Sequence, residues 1–299
     1  KNKMIYLLHI YRCLKKFFKF PNQFISSLRT DIRKDFLSKK LKPGLNVLVI
    51  GLPKSGTTMI EEILSEIGFV NQANSILRLF DDQKLSHHHD LSRKMLNKIP
   101  KNKNTFLKRH SEATISNLEL IEEYNFKTFV SIRNLIDVMI SRYLHLSNDE
   151  KQPQFKIYSK YDLLEGFKIS LIKNHRENDI PIQIFEEWIE KWQQVLAQNK
   201  NLCLLDYDSY KKNNYMYFKK IFNFLDIDQS QIEIILNKHL QNQSLLNQKF
   251  FKSNLKKNFY SQTYNNKSKK IGNIIKNDLE TIKFFNSKVR YSYNKVEII

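Results

Sequence analysis

The chain has 299 residues, and its 50 Lys and Arg against 30 Asp and Glu give a formal net charge of +20 at pH 7. A hydrophobic content of 41% and an aromatic content of 12% argue against a disordered chain and suffice for the core of one large domain. Two cysteines, Cys13 and Cys203, cannot form a disulfide framework and favour a reducing, cytoplasmic location. No apolar run reaches the length that a membrane span needs.

The positive charge lies at the two ends of the chain. Residues 1–42 carry twelve Lys or Arg against two Asp, and residues 249–299 carry twelve against three acidic residues. We therefore predict a basic N-terminal extension over residues 1–43 and a single α/β domain over residues 44–299. The basic, aromatic segment 4–20 is typical either of a helix packed on the domain or of an interfacial helix in peripheral contact with a membrane.

Short apolar runs alternate with amphipathic stretches along the chain. Strands are predicted at 46–50, 105–108, 127–132 and 201–206. Helices are predicted at 57–67, 113–124, 135–145, 161–173, 181–198, 215–225 and 229–239. This alternation is typical of a central, mainly parallel sheet flanked by helices. Residues 251–270 have weak periodicity, which predicts a long basic loop.

A glycine-containing turn, residues 51–58 (GLPKSGTT), joins the first strand to the first helix. Backbone N–H groups and the positive end of the helix dipole point at one spot in such a turn, which makes a pocket for an anion. In a nucleotide-hydrolysing loop the Lys follows the second Gly. Here Lys54 lies inside the loop and Thr57 follows the second Gly, which favours a phosphate-bearing donor used in a different reaction.

A second informative segment begins with Arg133 at the end of the strand 127–132, and Ser141 lies eight residues later on the following helix. Together, an Arg fork and a Ser hydroxyl can clamp one phosphate. Taken alone the pair is a weak signal, and a capping Arg and a surface Ser are the simpler explanation.

Together the two segments resemble the sulfotransferases that use 3′-phosphoadenosine 5′-phosphosulfate (PAPS). Residues 53–58 match the P-K-[ST]-G-T-[ST] loop of that family, and Arg133 with Ser141 match its R-x₇-S pair. The run Lys108-Arg109-His110 is similar to its K-T-H run, and residues 267–272 (KSKKIG) are similar to its final basic loop. Trp188 and Trp192 match its W…W helix. The resemblance runs from about residue 44 to 286 and implies the P-loop-like sulfotransferase fold.

The resemblance also implies roles for individual residues. His110 would be the catalytic base, with Glu112 as an alternative carboxylate base, and Lys54 and Lys108 would stabilise charge at the transferring group. The residues expected to bind PAPS are Lys54, Ser55, Gly56, Thr57, Thr58, Arg133, Ser141, Tyr207 and Lys267. No metal is expected, and the run 87–89 (HHH) lacks the spacing of a metal site.

The expected reaction is transfer of a sulfuryl group from PAPS to a hydroxyl or amine by in-line displacement. The expected partner is a small-molecule, carbohydrate or lipid acceptor and not a nucleic acid, and the expected location is cytoplasmic or membrane-peripheral. Two alternatives stay open at this point. One is a P-loop-type phosphotransferase or nucleotide kinase, which would need Mg²⁺, and the other is a polyanion-binding protein driven by its basic ends.

Overall fold

The computed structural model describes residues 44–71, 90–97, 99, 103–150, 152–172, 181–253 and 262–297. Within these ranges the side chains of residues 243–253, 262–268 and 293 are not described. The N-terminal extension with Cys13, and the histidines at 87–89, lie outside the described residues, so the predictions made for them stay predictions. Among the described residues, no helix combines the length and the apolar composition that crossing a bilayer requires.

Five parallel strands form the central sheet of the described chain, in the order β2-β3-β1-β4-β5. This confirms the predicted parallel α/β architecture, and four of the strands were predicted. The two-residue strand β2 was not, because two residues carry no readable pattern. The strands are β1 (Asn46–Gly51), β2 (Val70–Asn71), β3 (Thr105–Arg109), β4 (Lys127–Ile132) and β5 (Leu202–Asp206).

Helices connect and cover the strands, and several begin at a polar capping side chain. The side chain of Asn134 accepts a hydrogen bond from Ile136 N, for example, and that of Thr114 accepts one from Asn117 N. The helices are α1 (Thr57–Ile67), α2 (Arg93–Leu96), α3 (Ile115–Glu123), α4 (Leu135–Asn148), α5 (Phe155–Tyr158), α6 (Leu163–Ile172), α7 (Ile182–Leu196), α8 (Tyr207–Lys212), α9 (Asn214–Leu225), α10 (Ile232–Ser253), α11 (Gln262–Asn277) and α12 (Leu279–Lys288), with 3₁₀ turns at Gln229–Gln231 and Ser292–Asn294.

The sheet separates two apolar cores. Successive side chains of a strand point to opposite faces, and along β1 Val47 and Val49 join one core while Leu48 and Ile50 join the other. The first core includes side chains of α1, α9 and α10, and the second includes side chains of α4, α6, α7 and α12. Both faces of the central strands are therefore covered, as near-continuous apolar strands require.

The prediction of a loop over residues 251–270 is wrong for the part that the structure describes. Residues 251–253 end α10, and residues 262–270 form the first half of α11. The apolar side of α11 lies downstream, where Ile271 and Ile275 pack against the core four residues apart. Residues 262–270 contain one aromatic residue, Tyr264, and are otherwise polar, so the range 251–270 does not show the apolar periodicity of this helix.

A crevice opens beyond the carboxyl ends of β1 and β4. These strands are neighbours, but the helices that follow them pack on opposite faces of the sheet. Ile60 of α1 belongs to one core, and Met139 of α4 belongs to the other. In open parallel sheets, ligands bind where consecutive connections diverge in this way. Both the glycine-containing turn and Arg133 lie at this crevice.

Candidate functional site

The turn after β1 has the backbone geometry of an anion cradle. Lys54 and Gly56 both have positive φ, 74° and 94°. The Ser55 hydroxyl donates to Leu52 O at 2.7 Å, and the buried Ser131 hydroxyl donates to Ser55 O at 2.7 Å. Gly56 is the N-cap of α1 and provides no side-chain hydrogen bond to the first turn. The first N–H groups of α1 can therefore serve an anion.

Both glycines of the turn are required by close packing. A Cβ atom added at Gly56 would lie 2.3 Å from Cδ2 of Tyr207. One added at Gly51 would lie 2.5 Å from Cγ2 of Thr57 and 2.7 Å from the Ser55 hydroxyl oxygen. Thr57 and Ser55 are buried, whereas Thr58 is exposed at the start of α1. The turn is thus held tightly by its own side chains and by an aromatic ring from the end of β5.

Arg133, at the end of β4, contacts the turn directly. Its Nη1 donates to Lys54 O at 3.2 Å, and its guanidinium carbon lies 5.2 Å from the ring centroid of Tyr207. Asp137 is 4.0 Å from Nη2 of the same guanidinium. The buried Nε atom has no hydrogen-bond partner among the described residues. The Lys-bearing turn and Arg133 therefore belong to one site. The Nε–H group of Arg133 is a hydrogen-bond donor that a ligand could use there.

Tyr207 is half-buried and surrounded by basic groups. Lys211 Nζ lies 5.0 Å from its ring centroid, and the ring of Tyr210 is nearly parallel to it, with the centroids 6.2 Å apart. Its neighbour Asp208 accepts from the backbone N–H of Asn134 at 3.0 Å. Burial raises the pKa of Asp208, but hydrogen bonds from Lys211 and Asn134 outweigh this and the resulting pKa lies below the usual value. Asp208 thus stays ionised and ties the end of β5 to the start of α4.

Lys54 and Lys108 face the same space. Burial lowers the pKa of Lys54, Asp149 opposes this, and the nearby charge of Lys108 lowers it further. Lys108 is itself held by an ion pair with Glu61 of α1, with Nζ and Oε2 2.5 Å apart and both side chains 15% exposed. Because Glu61 balances one of the two ammonium groups, the site can hold both cations close together.

His110 follows β3 and reaches the other side of the turn. Its Nδ1 makes a hydrogen bond with the backbone O of Gly51. A carbonyl oxygen only accepts, so Nδ1 carries the proton and the neutral ring keeps its lone pair on Nε2. The next residue, Ser111, is buried, and its carbonyl accepts from Trp188 Nε1 at 2.9 Å and from Trp192 Nε1 at 3.2 Å. Two indoles of α7 therefore fix the backbone beside this histidine.

His110 also lines a cavity of about 350 Å³ next to the turn. One wall is apolar and consists of Leu52, Pro53, Ile184, Phe185 and Trp188, while the polar lining consists of Asp90, His110, Glu112 and Thr114. Glu112 is paired with Lys191 of α7, with Oε2 and Nζ 3.0 Å apart, and both side chains are about half exposed. A cavity of this size and mixed lining is typical of a small-molecule site.

The last two predicted donor-binding residues lie on neighbouring helices. Ser141 is half-exposed on α4, and its neighbour Ile140 would be 3.8 Å from a Cβ atom at Gly272 of α11. Lys276 of α11 also pairs with Asp137 of α4 at 2.7 Å. Lys267 lies in α11 and not in the expected loop, and its side chain is outside the described set.

Sequence reasoning missed two residues near the turn. The charge of Lys54 lowers the pKa of His145, after the larger effect of burial, and Asp149 opposes both. The charge of Asp149 also raises the pKa of Lys54. The C-terminal end of α4 therefore faces the turn. The available signal was spacing, since His145 lies four residues after Ser141 on the same side of α4, and Asp149 follows four residues later at the end of the helix.

Among the described residues, no group of three or more His, Cys, Asp or Glu side chains is arranged to hold a metal ion. That no metal takes part in the reaction stays a prediction.

Comparison with known proteins gives one family match. A family model described as the sulfotransferase domain matches residues 45–287. No curated protein gives a significant match. Similar solved structures include mouse sulfotransferase SULT7A1 complexed with PAP, at 20% identity over 69% of this chain and 68% of that chain, with a TM-score of 0.48.

Retinol dehydratase appears twice among the similar structures. Its complex with androsterone and the inactive cofactor PAP has 16% identity over 71% of this chain and 69% of that chain, with a TM-score of 0.44. Its complex with retinol and PAP has 16% identity over 68% of this chain and 67% of that chain, with a TM-score of 0.41. These likenesses are too distant to bear on function, so the assignment depends on the family match alone.

Proposed function

The chain belongs to the sulfotransferase domain family, and from this premise we propose that it transfers a sulfuryl group from PAPS to a hydroxyl or amine of a small-molecule acceptor. The observation that carries the proposal is the contact between the turn after β1 and Arg133 after β4. It supports a single site that holds both phosphate groups of one adenosine. The family match favours this reaction over the phosphotransferase and polyanion-binding alternatives.

The 5′-phosphosulfate would bind at the start of α1. The backbone N–H groups after Gly56 and the hydroxyls of Thr57 and Thr58 would bind the phosphate. The backbone N–H of Ser55, which was also expected to bind it, instead donates to Leu52 O at 3.1 Å and shapes the turn. Tyr207 would contact the adenine. These assignments are supported by the uncapped helix N-terminus and by the position of Tyr207 against the turn.

The 3′-phosphate would bind between the start of α4 and α11. Arg133 offers a buried Nε without a hydrogen-bond partner among the described residues. Ser141 and Lys267 would complete the contacts. Because an Arg fork can meet two phosphate oxygens at once, Arg133 would supply most of the discrimination between PAPS and nucleotides without a 3′-phosphate.

In the chemical step the acceptor oxygen or nitrogen attacks the sulfur atom. A new bond to sulfur forms while the bond from sulfur to the bridging oxygen of the 5′-phosphate breaks, and its electron pair stays on the phosphate. Lys54 would stabilise the charge that develops on that oxygen, with Lys108 supporting it. The acceptor proton would pass to Nε2 of His110, and the products are PAP and the sulfated acceptor.

His110 fits the base role better than Glu112 does. The bond from Nδ1 to Gly51 O leaves the Nε2 lone pair as the proton acceptor of the neutral ring. It also joins the base to the turn that would hold the donor. The carboxylate of Glu112 is instead paired with Lys191 at the cavity rim and makes no hydrogen bond or ion pair with the turn among the described residues.

The reaction is tested by incubating the protein with PAPS and a panel of phenols, alcohols and amines, and measuring PAP release. We expect sulfation of at least one acceptor without added Mg²⁺. Lys54→Ala should lower kcat about 10²- to 10³-fold, the loss typical of one charge-stabilising group. His110→Ala should lower kcat about 10²- to 10⁴-fold but leave the affinity for PAP nearly unchanged.

The matched control is Lys283→Ala. Lys283 is exposed on α12 and is not among the residues of the site, so this variant should be fully active. Turnover of ATP that requires Mg²⁺, with no sulfation of any acceptor, would contradict the proposal in favour of a phosphotransferase. Normal turnover by His110→Ala would leave the reaction standing and remove His110 as the base.

A further inference from the structure

A second and larger cavity shares no lining residue with the cavity beside His110. It has a volume of about 810 Å³ and is lined by β5, α8 and α9. Three successive residues of β5, Cys203, Leu204 and Leu205, line it. Within the described sheet β5 is an edge strand, paired with β4 alone. We call this space the β5 groove.

The walls of the β5 groove are largely apolar. Met216 lines it with 53% of its surface exposed, and Phe224 lines it from the same helix. The ring centroid of Phe224 lies 5.1 Å from that of Phe129 in β4, so this wall packs against the sheet. An apolar space within the volume range of known ligand sites can bury the hydrocarbon part of a ligand.

The rim of the β5 groove is strongly basic. Lys212, Lys219 and Lys220 line it, and Lys127 Nζ lies 5.0 Å from the centroid of the Phe224 ring. Within the part of the chain that the structure describes, these four lysines form no ion pair. The one carboxylate in the lining, Asp206, already accepts from the Ser209 hydroxyl and from Asp208 N.

We propose that the β5 groove binds an anionic amphiphile, a long-chain carboxylate. Its hydrocarbon chain would lie along Leu204, Met216 and Phe224, and its carboxylate would lie among Lys212, Lys219 and Lys220. Burial of the chain supplies the affinity, and the unbalanced positive rim selects an anionic head group. The site shares no lining residue with the cavity beside His110, and the proposal does not depend on the sulfuryl-transfer reaction.

The probe for this site is cis-parinaric acid, an intrinsically fluorescent long-chain carboxylate, titrated into the full-length protein below its micelle concentration. We expect saturable binding that PAP does not displace, and at least tenfold weaker binding of its uncharged methyl ester. Displacement by PAP would place the probe in the crevice and overturn the proposal. Equal binding of the ester, or no binding of the acid, would also overturn it.

Two kinds of variant locate the probe. Lys219→Glu/Lys220→Glu reverses charge at the rim, and Met216→Trp fills the apolar space. Each should weaken binding at least tenfold while leaving PAP affinity and the melting temperature unchanged. If either variant does not fold, Lys212→Glu replaces it, because Lys212 is an exposed residue of the same rim. It should weaken binding of the probe in the same way.

The matched control, Lys283→Glu/Lys295→Glu, changes the net charge equally at exposed positions away from the groove. It should bind the probe as the wild type does. If the control weakens binding as much as the rim variants do, the attraction comes from net charge alone and the β5 groove is not the site. Unchanged binding in the rim and Met216→Trp variants would refute it as well.

Discussion

Replacing Gly56 by alanine tests the geometry of the turn most sharply. Gly56 has a φ of 94°, which costs an L-residue about 1–2 kcal/mol. The new Cβ would lie 2.3 Å from Cδ2 of Tyr207, so the ring must retreat by about 1 Å to reach normal contact. Overpacking of this kind costs about 1–3 kcal/mol. We therefore expect Gly56→Ala to lower the free energy of unfolding by about 2–5 kcal/mol.

The assay is urea unfolding of four proteins: wild type, Gly56→Ala, Tyr207→Ala and the double variant. Removing the ring removes the clash but not the backbone strain. The double variant should therefore show a coupling of about 1–3 kcal/mol between the two positions. Gly56→Ala should also weaken PAP binding, because displacing Tyr207 disturbs its contact with Arg133.

Gly272→Ala is the matched control for the same substitution. Gly272 lies inside α11, and its added Cβ would make an ordinary contact at 3.8 Å with Ile140. It should be about 0.5–1 kcal/mol more stable than the wild type, since alanine is preferred to glycine inside a helix. A Gly56→Ala protein as stable as the wild type, or additive effects of the two substitutions, would refute the reasoning.

Three further predictions concern the tryptophan pair of α7, Glu112 and His239. Trp188→Phe/Trp192→Phe removes both indole hydrogen bonds to the Ser111 carbonyl. Unfolding should become easier by about 1–3 kcal/mol, since each bond contributes about 0.5–1.5 kcal/mol, and kcat should fall, while each single variant keeps one bond and changes less. Similar unfolding curves for the double and single variants would contradict this. Glu112→Gln should keep wild-type kcat because His110 takes the proton, and loss of turnover would make Glu112 the base instead. Burial lowers the pKa of His239 despite the opposing charge of Glu66. Its contribution to stability is therefore full above the unfolded pKa of about 6.5 and is lost as pH falls from there through the lower folded pKa. Urea unfolding at pH 7.5 and 5.5 should show a smaller pH effect in His239→Gln than in the wild type, and equal effects would contradict the assignment.

Most of the fold could be predicted from local sequence patterns. The strands β1, β3, β4 and β5 are short apolar runs, and α1 has the predicted bounds because Gly56 and Gly68 mark its ends. The helix α11 could not be predicted from residues 251–270, because its apolar side chains Ile271 and Ile275 lie downstream of them.

The site was predicted only where a motif exists. The turn and Arg133 stand next to strand ends, and the parallel topology brings such ends together. The hydrogen bonds from Trp188 and Trp192 to Ser111 O join residues 77 and 81 positions apart. No local sequence pattern predicts such contacts. The ion pair of Lys108 with Glu61 likewise depends on how α1 packs beside β3.

The most direct test of the account is calorimetric titration of PAP and of adenosine 5′-diphosphate into the wild type and Arg133→Ala, without Mg²⁺. PAP carries the 3′-phosphate and adenosine 5′-diphosphate does not. If the turn and Arg133 hold the two phosphate-bearing ends of one nucleotide, the wild type should bind PAP at least tenfold more tightly, and Arg133→Ala should lose that preference. Equal affinity of the wild type for both nucleotides, or an Arg133→Ala protein that still prefers PAP, would contradict the account.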